Sequence, residues 1–527
     1  MTLISSIKNL FRRGGAKLGV VKSLGQITDD DRVAISPNEY ERIAVAKKYY
    51  ADDLEKIHYK NSYGQDCKRA LSSINVTKMA ARRLASIIFN EQCSVQINDK
   101  SAQDLFDQIA HDEEFYTTLE EYLEKWIAFG SGAIRPYVDG NKIKLAWVVA
   151  DQFYPLQSNT SEVNEACIAS KTVRSENNKQ AYYTLLEFHQ WLNNGDYQIT
   201  NELYRSESAD NVGDQVPLDM LDEYAGLEPQ VTLSGLKEPL FTFFKTPGAN
   251  NQTLESPLGL GLIDNSKNVV DAINRTHDQF VWEIKMGKRR VAVPAEMLRS
   301  GGQFAGNGEQ THPPMFDTEQ NVYEAMYGDP NSLKITDLTT NIRNDQFEKS
   351  MEFFVSEFEN EVGLSQGTFT ATPEGLKTAT EVVSNNSMTY QTRSSYLTQV
   401  DKTIRGLVKS ILELAQASDL FEDGRPLWSG DIDSIDITVD FNDGVYVDKE
   451  AQFTKDLQMV ESKMMPKYLF IERNLGYDED KAKALIKEVK AETPEPPVNQ
   501  EVGAFGFGGG AGDGEEDTDT DDDQETS

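Results

Sequence analysis

The chain has 527 residues, a hydrophobic content of 39% and a formal net charge of −34 at pH 7. This size and apolar content suffice for several domains or for one elongated subunit, and they argue against a chain that is disordered throughout. The tail from Ala491 to Ser527 holds twelve acidic and no basic residues, so the remainder still carries −22 and lacks the basic balance of a conventional DNA-binding protein.

The N-terminal segment, residues 1–29, begins MTLISSIKNLFRRGGAK and lacks the apolar core and cleavage site of a signal peptide. We interpret it as an arm that contacts a neighbouring subunit or an internal partner. The alternative is a basic amphipathic helix that lies on a membrane surface. No run of about 18 apolar residues occurs in the sequence, which argues against a transmembrane helix.

The three cysteines, Cys67, Cys93 and Cys167, are odd in number and widely spaced. This pattern is typical of reduced, buried thiols in a protein made in a cytoplasm. It matches neither a disulfide framework nor the ligand spacing of a zinc site.

Helical periodicity dominates residues 37–129. Ser36-Pro37 is a typical helix start, and VTKMAARRLASIIFNE carries its apolar residues on one face. A third helix is predicted through residues 105–127. It should end at Gly130, because glycine is common just beyond helix C-termini.

Strand patterns replace helical ones from residue 133 to residue 245. Asp139-Gly140 lies between two apolar runs, and Asn194-Gly195 lies between two more, which are strong hairpin signals. The runs ACIASKTV and PLFTFFK supply further strands. A helical section followed by a mixed sheet predicts an α+β fold for residues 30–255.

The next part of the chain predicts two helices around a small insertion. Ser256-Pro257 opens the first helix, over 256–290, and residues 291–340 have the short strands and glycine-rich loops of a small α/β unit. The second helix, 341–362, is amphipathic, and the ends of the two helices must lie close together. Its apolar stripe is Phe347, Met351, Phe354, Phe358 and Val362.

Glycine and proline predict a loop at 363–378, after which a helical pattern runs over 379–421. The predicted buried face of this helix consists of Val382, Val383, Tyr396, Leu397, Val400, Ile404, Leu407, Val408, Ile411 and Leu412. About 40 helical residues rise roughly 60 Å, which is more than one compact domain needs. Residues 422–448 alternate like a hairpin, 449–490 are helical again, and 491–527 are predicted to be disordered.

The order of a helix, the phrase GLSQGTFTA, a short loop and then TATEV at the start of a long helix resembles the portal proteins of tailed bacteriophages. The resemblance is to the group found in phages of Gram-positive hosts, and it covers residues 30–490. It implies an elongated α+β subunit with these parts: N-terminal arm 1–29, wing 30–255, stem helix 256–290, clip 291–340, second stem helix 341–362, tunnel loop 363–378, long wing helix 379–421, wing hairpin 422–448, crown 449–490 and acidic tail 491–527.

In that family the subunits form a ring, dodecameric in assembled heads, at one vertex of the virion capsid. The resemblance implies a channel for packaging and ejecting double-stranded DNA without sequence specificity. It also implies contacts with the terminase large subunit, the head–tail connector, and the major capsid and scaffold proteins. The terminase hydrolyses ATP in this family, and the present chain has no GxxxxGK[ST] phosphate loop.

No motif of the sequence predicts an enzyme, a cofactor or a metal. The five histidines form no HExxH or paired-ligand spacing, and no GxSxG elbow is present. Two alternatives to the channel remain. One is a minor structural protein of the phage head without a channel, and the other is a carboxylate-based hydrolase, for which no acid pair stands out.

Acidic residues on the second stem helix are candidates for lining the channel: Glu348, Glu352 and Glu359. In a ring, repeated carboxylates repel the phosphate backbone and keep a moving duplex from sticking. The alternative is an ordinary solvated helix face.

The tunnel loop supplies small or flexible polar groups that can touch phosphates without reading bases. These candidates are Gln366, Thr368, Thr370, Thr372 and Lys377. The alternative is a plain connection between two helices.

A basic cluster ends the first stem helix, with Lys285, Lys288, Arg289 and Arg290. Its cations are suited to the carbonyl end of that helix, to the acidic helix beside it, or to DNA leaving the channel.

Overall fold

The computed structural model describes most of the chain in two compact units, which divide between Tyr446 and Val447. The described residues are 22–61, 63–90, 93–158, 162–176, 178–287, 291–294, 323–326, 336–337, 341–369, 387–441, 449–477 and 479–492. Helices and strands are mixed along the first unit, which confirms the α+β class.

The described α-helices are α1 Pro37–Tyr50, α2 Val76–Ile88, α3 Lys100–Asp112, α4 Phe115–Phe129, α5 Leu262–Met286, α6 Asn344–Glu361, α7 Ser387–Gln416, α8 Lys449–Glu461, α9 Lys467–Leu475 and α10 Glu479–Glu492. The strands are β1 Ser23–Leu24, β2 Ile57–Lys60, β3 Asp66–Arg69, β4 Ser94–Ile97, β5 Ser131–Asp139, β6 Lys142–Val149, β7 Phe153–Ser158, β8 Val163–Glu176, β9 Lys179–Trp191, β10 Tyr197–Ser206, β11 Gly213–Val216, β12 Gln230–Leu233, β13 Thr242–Lys245, β14 Val291–Pro294, β15 Tyr323–Met326, β16 Thr336–Asp337 and β17 Ile437–Asp440.

Two antiparallel sheets form the strand-rich part of the first unit. The larger has the order β1-β11-β10-β9-β8-β7, with β12 also paired to β10, and the smaller has the order β13-β5-β6. Both predicted hairpins are confirmed. Asp139 pairs with Lys142 around the first turn, and Trp191 pairs with Tyr197 around the second.

The predicted third helix is wrong as a single element, because the chain breaks it into α3 and α4 at Glu114. That residue has a left-handed backbone (φ 47°). The turn brings the buried rings of Phe106 and Phe115 into edge-to-face contact at 5.6 Å, which a continuous helix would not allow. The predicted end at Gly130 is confirmed: its φ is 94°, and an added Cβ would lie 2.3 Å from the carbonyl oxygen of Gly259.

The helix α5 starts at Leu262 and not at the predicted Ser256-Pro257. The backbone N–H of Gly261 donates to the Asp264 carboxylate (2.6 Å), which closes the first turn of the helix. The residues before it are held in an extended path, since the Gly259 N–H donates to Ser131 Oγ at 2.9 Å.

The ends of α5 and α6 lie close together, as predicted. Phe280 and Phe347 pack with ring centroids 5.2 Å apart, and Arg343 pairs with Glu283 at 2.9 Å. Between these helices, β14 pairs in parallel with β15 and antiparallel with β16. This small three-stranded sheet belongs to the predicted 291–340 insertion.

The long helix α7 is described over 30 residues and ends at Gln416, five residues before the predicted end at residue 421. It ends there because the chain folds back: the N–H groups of Leu427 and Trp428 donate to the Ala415 carbonyl at 2.9 and 3.4 Å. The predicted helical residues 379–386 lie outside the described part. The predicted buried face is confirmed at Tyr396, Val400, Ile404, Leu407, Val408, Ile411 and Leu412, while Leu397 is partly buried.

The predicted 422–448 hairpin is observed in one strand only. That strand, β17, pairs antiparallel with β4. Its predicted second strand, after Asn442, falls on residues outside the description.

The second unit contains α8, α9 and α10, which confirms the predicted helices between residues 449 and 490. Two of its helices are joined through the buried Asp456 of α8, which accepts a 3.0 Å hydrogen bond from Asn474 of α9. Phe453 and Phe470 pack at 5.2 Å. No helix among the described residues of the chain is both long and apolar enough to cross a bilayer.

Candidate functional site

The turn that follows α6, residues 363–369, is held by one buried carboxylate. Glu359 is 0% exposed. Its two oxygens accept hydrogen bonds from the backbone N–H of Gly367 (3.0 Å) and of Phe369 (2.7 Å). Such charge-assisted bonds are about twice as strong as neutral ones. We call this arrangement the Glu359 clamp.

A second set of bonds joins the same turn to the start of α7. The Ser365 N–H donates to Thr389 Oγ1 at 2.8 Å, and the Thr389 N–H donates to Ser365 Oγ at 3.2 Å. The two hydroxyls also bond each other at 3.0 Å. We call these bonds the Ser365–Thr389 tie. The tie holds the turn beside the start of α7, and residues 370–386 connect these two parts of the chain.

Glycine is required where the turn begins. Gly363 has φ 74°, in the left-handed region that favours glycine, and an added Cβ would lie 2.3 Å from Thr392 Oγ1 on α7. Leu364 beside it is fully buried, and its N–H donates to the Glu359 carbonyl at 2.8 Å. Both observations show that the turn is packed tightly between α6 and α7.

The prediction that Glu359 lines a channel is therefore wrong. Its carboxylate is buried against the turn, and both oxygens accept backbone hydrogen bonds. Glu348 and Glu352, by contrast, are exposed on α6, and neither forms an ion pair with the described residues. Because they are four residues apart, they lie on one face of the helix.

The structure describes two of the five loop candidates. Gln366 is exposed, as a phosphate contact requires. The Thr368 hydroxyl instead donates to the Ser365 carbonyl at 2.5 Å, so its hydrogen is used inside the turn. Thr370, Thr372 and Lys377 lie outside the described residues.

Of the basic cluster, only Lys285 is described, and it is exposed near the end of α5. Lys288, Arg289 and Arg290 lie outside the described residues. Beside Lys285, Glu283 is paired with Arg343 of α6, which lowers the pKa of that carboxyl.

No cluster of three or more metal-ligating side chains occurs among the described residues. Cys93 and Cys167 are buried and neither is in a disulfide, as predicted, whereas Cys67 is only partly buried. Burial raises the pKa of the Cys167 thiol well above its usual value, which keeps it neutral and unreactive.

Sequence reasoning missed the Glu359 clamp and the Ser365–Thr389 tie. From the sequence, Glu359 is indistinguishable from the other acids of an acidic helix. The available signal is its place directly after Phe358, at the edge of the apolar stripe, together with a glycine-rich turn whose N–H groups need acceptors. The tie joins two residues that are 24 positions apart in the chain, so no local sequence pattern predicts it.

A portal subunit is expected to have a helix pair with a small sheet between the two helices in sequence, followed by a turn and a long returning helix. Over residues 30–495 the chain matches the family model described as "Phage portal protein, SPP1 Gp6-like". The chain therefore belongs to this family of phage portal proteins, and it forms a ring at the vertex of a bacteriophage capsid.

Among solved structures, the chain is similar to one from "Neck of native GTA particle computed with C12 symmetry". The identity is 10%, the TM-score is 0.39, and the likeness covers 83% of this chain and 94% of the other. No curated protein matches the chain. The assignment to the portal family rests on the family match.

Proposed function

We propose that the ring of this portal protein is the channel through which double-stranded DNA is packaged and later ejected. The observation that best supports this is the tied base of residues 370–386, held by the Glu359 clamp and the Ser365–Thr389 tie. A polar segment can touch a moving duplex without being displaced only if its two ends are fixed. The turn and helices provide that fixed base.

In this proposal the parts of the subunit take the roles that the portal family assigns to them. The pair α5–α6 is the stem, and the sheet β14–β16 between its helices belongs to the clip, which contacts the terminase large subunit and then the head–tail connector. Residues 30–255 with α7 form the wing, and α8–α10 form the crown. The ring is a dodecamer, and capsid and scaffold proteins contact it during head assembly.

Of the three acids that were predicted to line the channel, Glu348 and Glu352 remain in the proposal. Both are exposed and share one face of α6, so in a ring they repeat around the axis as a band of negative charge. This charge repels phosphates and lowers the friction on a passing duplex. The chain itself performs no catalysis, and the terminase supplies the energy of ATP hydrolysis.

Phosphate contacts come from the polar side chains beyond the clamp: Gln366, Thr370, Thr372 and Lys377. Thr368 is left out, because its hydroxyl already donates within the turn. The cluster Lys285, Lys288, Arg289 and Arg290 binds the carbonyl end of α5 or the acids of α6. Salt-dependent crosslinking of this cluster to packaged DNA would reverse that assignment.

Electron microscopy of the purified protein should show rings with a central hole. In a packaging assay, Glu348→Lys with Glu352→Lys should slow or stall DNA entry, because the added cations bind phosphates. The matched variant, Glu348→Gln with Glu352→Gln, removes the repelling charge without adding cations and should slow packaging less than the lysine variant does. Rings without a hole, or unchanged packaging by the lysine variant, would contradict the proposal.

A further inference from the structure

The second unit, which contains α8, α9 and α10, has a very small apolar interior. Among its described hydrophobic residues, only Met465 and Ala482 are buried. Larger apolar side chains are exposed on all three helices and in the turns that follow them: Phe453, Leu457, Met464, Leu469, Leu475, Tyr477 and Val489. Such a unit gains little stability from its own packing, and exposed apolar surface of this extent is typical of a contact with another molecule.

The arrangement of the three helices explains the small interior. Phe470 of α9 packs on Phe453 of α8 with ring centroids 5.2 Å apart, and the Lys483 ammonium of α10 lies 5.1 Å from the ring centre of Tyr468 on α9. Tyr468 and Phe470 are two residues apart, which is about 200° around an α-helix. The helices α8 and α10 therefore lie on different sides of α9, and the three share no common core.

The helix α8 carries an uncovered apolar row. Phe453 and Leu457 are four residues apart, so they lie on one row of the helix. They are 41% and 39% exposed, although Phe453 also contacts α9. Glu461, four residues further, is exposed and ends the apolar part of the row. We call Phe453 and Leu457 the α8 row.

The helix α10 has an apolar stripe that is covered at its start and open at its end. Ala482, Leu485, Ile486 and Val489 follow one another at steps of three, one and three residues, which places them on one side of the helix. Ala482 is fully buried, Leu485 and Ile486 are partly buried, and Val489 is 57% exposed. The stripe thus extends beyond the part of the unit that covers it. We call Ile486 and Val489 the α10 end.

The second unit also differs from the rest of the chain in charge. Residues 449–490 contain nine lysine and arginine residues and eight aspartate and glutamate residues, a net charge of +1, whereas the whole chain carries −34. Copies of an acidic surface repel one another, but a net charge near zero permits identical units to associate. The charge therefore favours another copy of this unit as the molecule that covers its apolar surface.

The ring supplies that copy. Each subunit of a ring has a neighbour related to it by rotation about the axis, so the second unit of the next subunit lies at the same height. We propose that in the portal ring the α10 end of each subunit packs against the α8 row of the next. The two surfaces differ, so the contact repeats around the axis and closes a ring instead of a dimer. This contact requires the ring but not the channel function.

Aspartate substitutions test the contact in the full-length protein, with ring formation measured by mass photometry. Leu457→Asp and Val489→Asp should each raise the protein concentration needed for half-assembly about tenfold, because each places a carboxylate in an apolar contact. The matched controls, Gln458→Asp on α8 and Ala484→Asp on α10, add the same charge to exposed residues that lie off the two surfaces. Both controls should assemble as the parent does.

A disulfide test separates a lost contact from local unfolding. Leu457→Cys with Val489→Cys, in a Cys67→Ser background, should join neighbouring subunits of oxidised rings into a ladder of covalent oligomers on denaturing gels. The matched pair, Lys455→Cys with Val489→Cys, moves the first thiol about 200° around α8 and should give little ladder. Equal ladders from the two pairs, or parent-like assembly of both aspartate variants, overturn the contact.

Photocrosslinking identifies what covers the α8 row. A benzophenone side chain in place of Phe453, in rings that mix isotope-labelled and unlabelled subunits, reports which residues of another chain lie beside it. Crosslinks between chains that fall within residues 449–490 support the proposal. Crosslinks between chains that fall only within residues 22–446 overturn it, because the first unit would then cover the row. Holed rings that package DNA while these tests fail leave the channel function standing.

Discussion

The packing around Trp126 and the outer faces of the α5–α6 pair contain similar aromatic residues that differ in what covers them. Trp126 is fully buried, stacks on Phe244 at 5.4 Å, and donates from its indole N–H to the Val148 carbonyl at 2.9 Å. Trp282 and Phe353 on the helix pair are 51% and 64% exposed. The first region is fully packed, whereas the second leaves half or more of each ring uncovered by the described residues.

The carboxylates of the two regions differ in the same way. Glu187, buried in the large sheet, lies 3.1 Å from Arg135 and 2.6 Å from His189. Burial alone would raise its pKa, but these partners outweigh burial and lower it to about 2. Burial and the charge of Glu357 raise the pKa of Glu361, which has no such partner among the described residues. The charge of Glu187 is thus balanced by its neighbours, whereas that of Glu361 is not balanced by any described residue.

The largest expected effect is the difference in stability loss between alanine variants of the two tryptophans. Trp126→Ala should lower the free energy of unfolding by about 3–5 kcal/mol, because it opens a cavity and removes a buried hydrogen bond. Trp282→Ala should change it by less than about 1 kcal/mol in the isolated subunit, since half of that ring is already in water. Urea unfolding of both variants measures this difference. Equal losses would show that the helix pair is as complete as the core.

Loss of the Glu359 clamp should cost less stability than Trp126→Ala and more than Trp282→Ala, because Glu359 is a buried group at the end of the exposed helix pair. Glu359→Ala leaves two backbone N–H groups without acceptors and should cost about 2–3 kcal/mol. It should also speed protease cleavage within residues 370–386. Glu359→Gln keeps one acceptor oxygen and should lose less. Parent-like cleavage of the alanine variant would mean that the clamp does not hold the segment.

As the pH falls, folding stability should be lost through Glu187 in the sheet region and not through Glu361 on the helix pair. The folded pKa of Glu187, about 2, lies below the ordinary glutamate value of 4.5, so its stabilisation is complete above pH 4.5 and is lost as the pH falls towards 2. Glu361 has the opposite sign, since a raised pKa means that acid relieves its unfavourable charge. Glu187→Gln should therefore flatten the fall in stability between pH 4.5 and 2, as measured by thermal unfolding. Glu361→Gln should not flatten it.

The smallest expected effect concerns the tie. Thr389→Val keeps the shape of the side chain but removes the hydroxyl that accepts from Ser365, and it should cost about 1 kcal/mol. Thr389→Ser retains the hydroxyl and serves as the matched control. Hydrogen exchange at the Ser365 N–H reports the bond directly. Equal protection in both variants would show that the tie contributes nothing.

Local patterns predicted most of the elements. The hairpin turns at Gly140 and Gly195, the glycine stop at Gly130 and the buried stripe of α7 all depend on residues close together in sequence, and the structure confirms each. The break at Glu114 and the late start of α5 at Leu262 were not predicted. The first depends on the packing of Phe115 back onto Phe106, and the second depends on a distant partner, Ser131, which binds the preceding segment.

The sequence alone determined the α+β class, the order of elements and the resemblance to portal proteins, because periodicity, turn chemistry and short phrases are local properties of a chain. Only the tertiary structure decided what each acid of α6 does. Glu359 became a buried clamp, while Glu348 and Glu361 stayed exposed on different faces of one helix. Sequence spacing places a residue on a helix face, but the folded neighbours decide whether that face meets backbone N–H groups, solvent or another subunit.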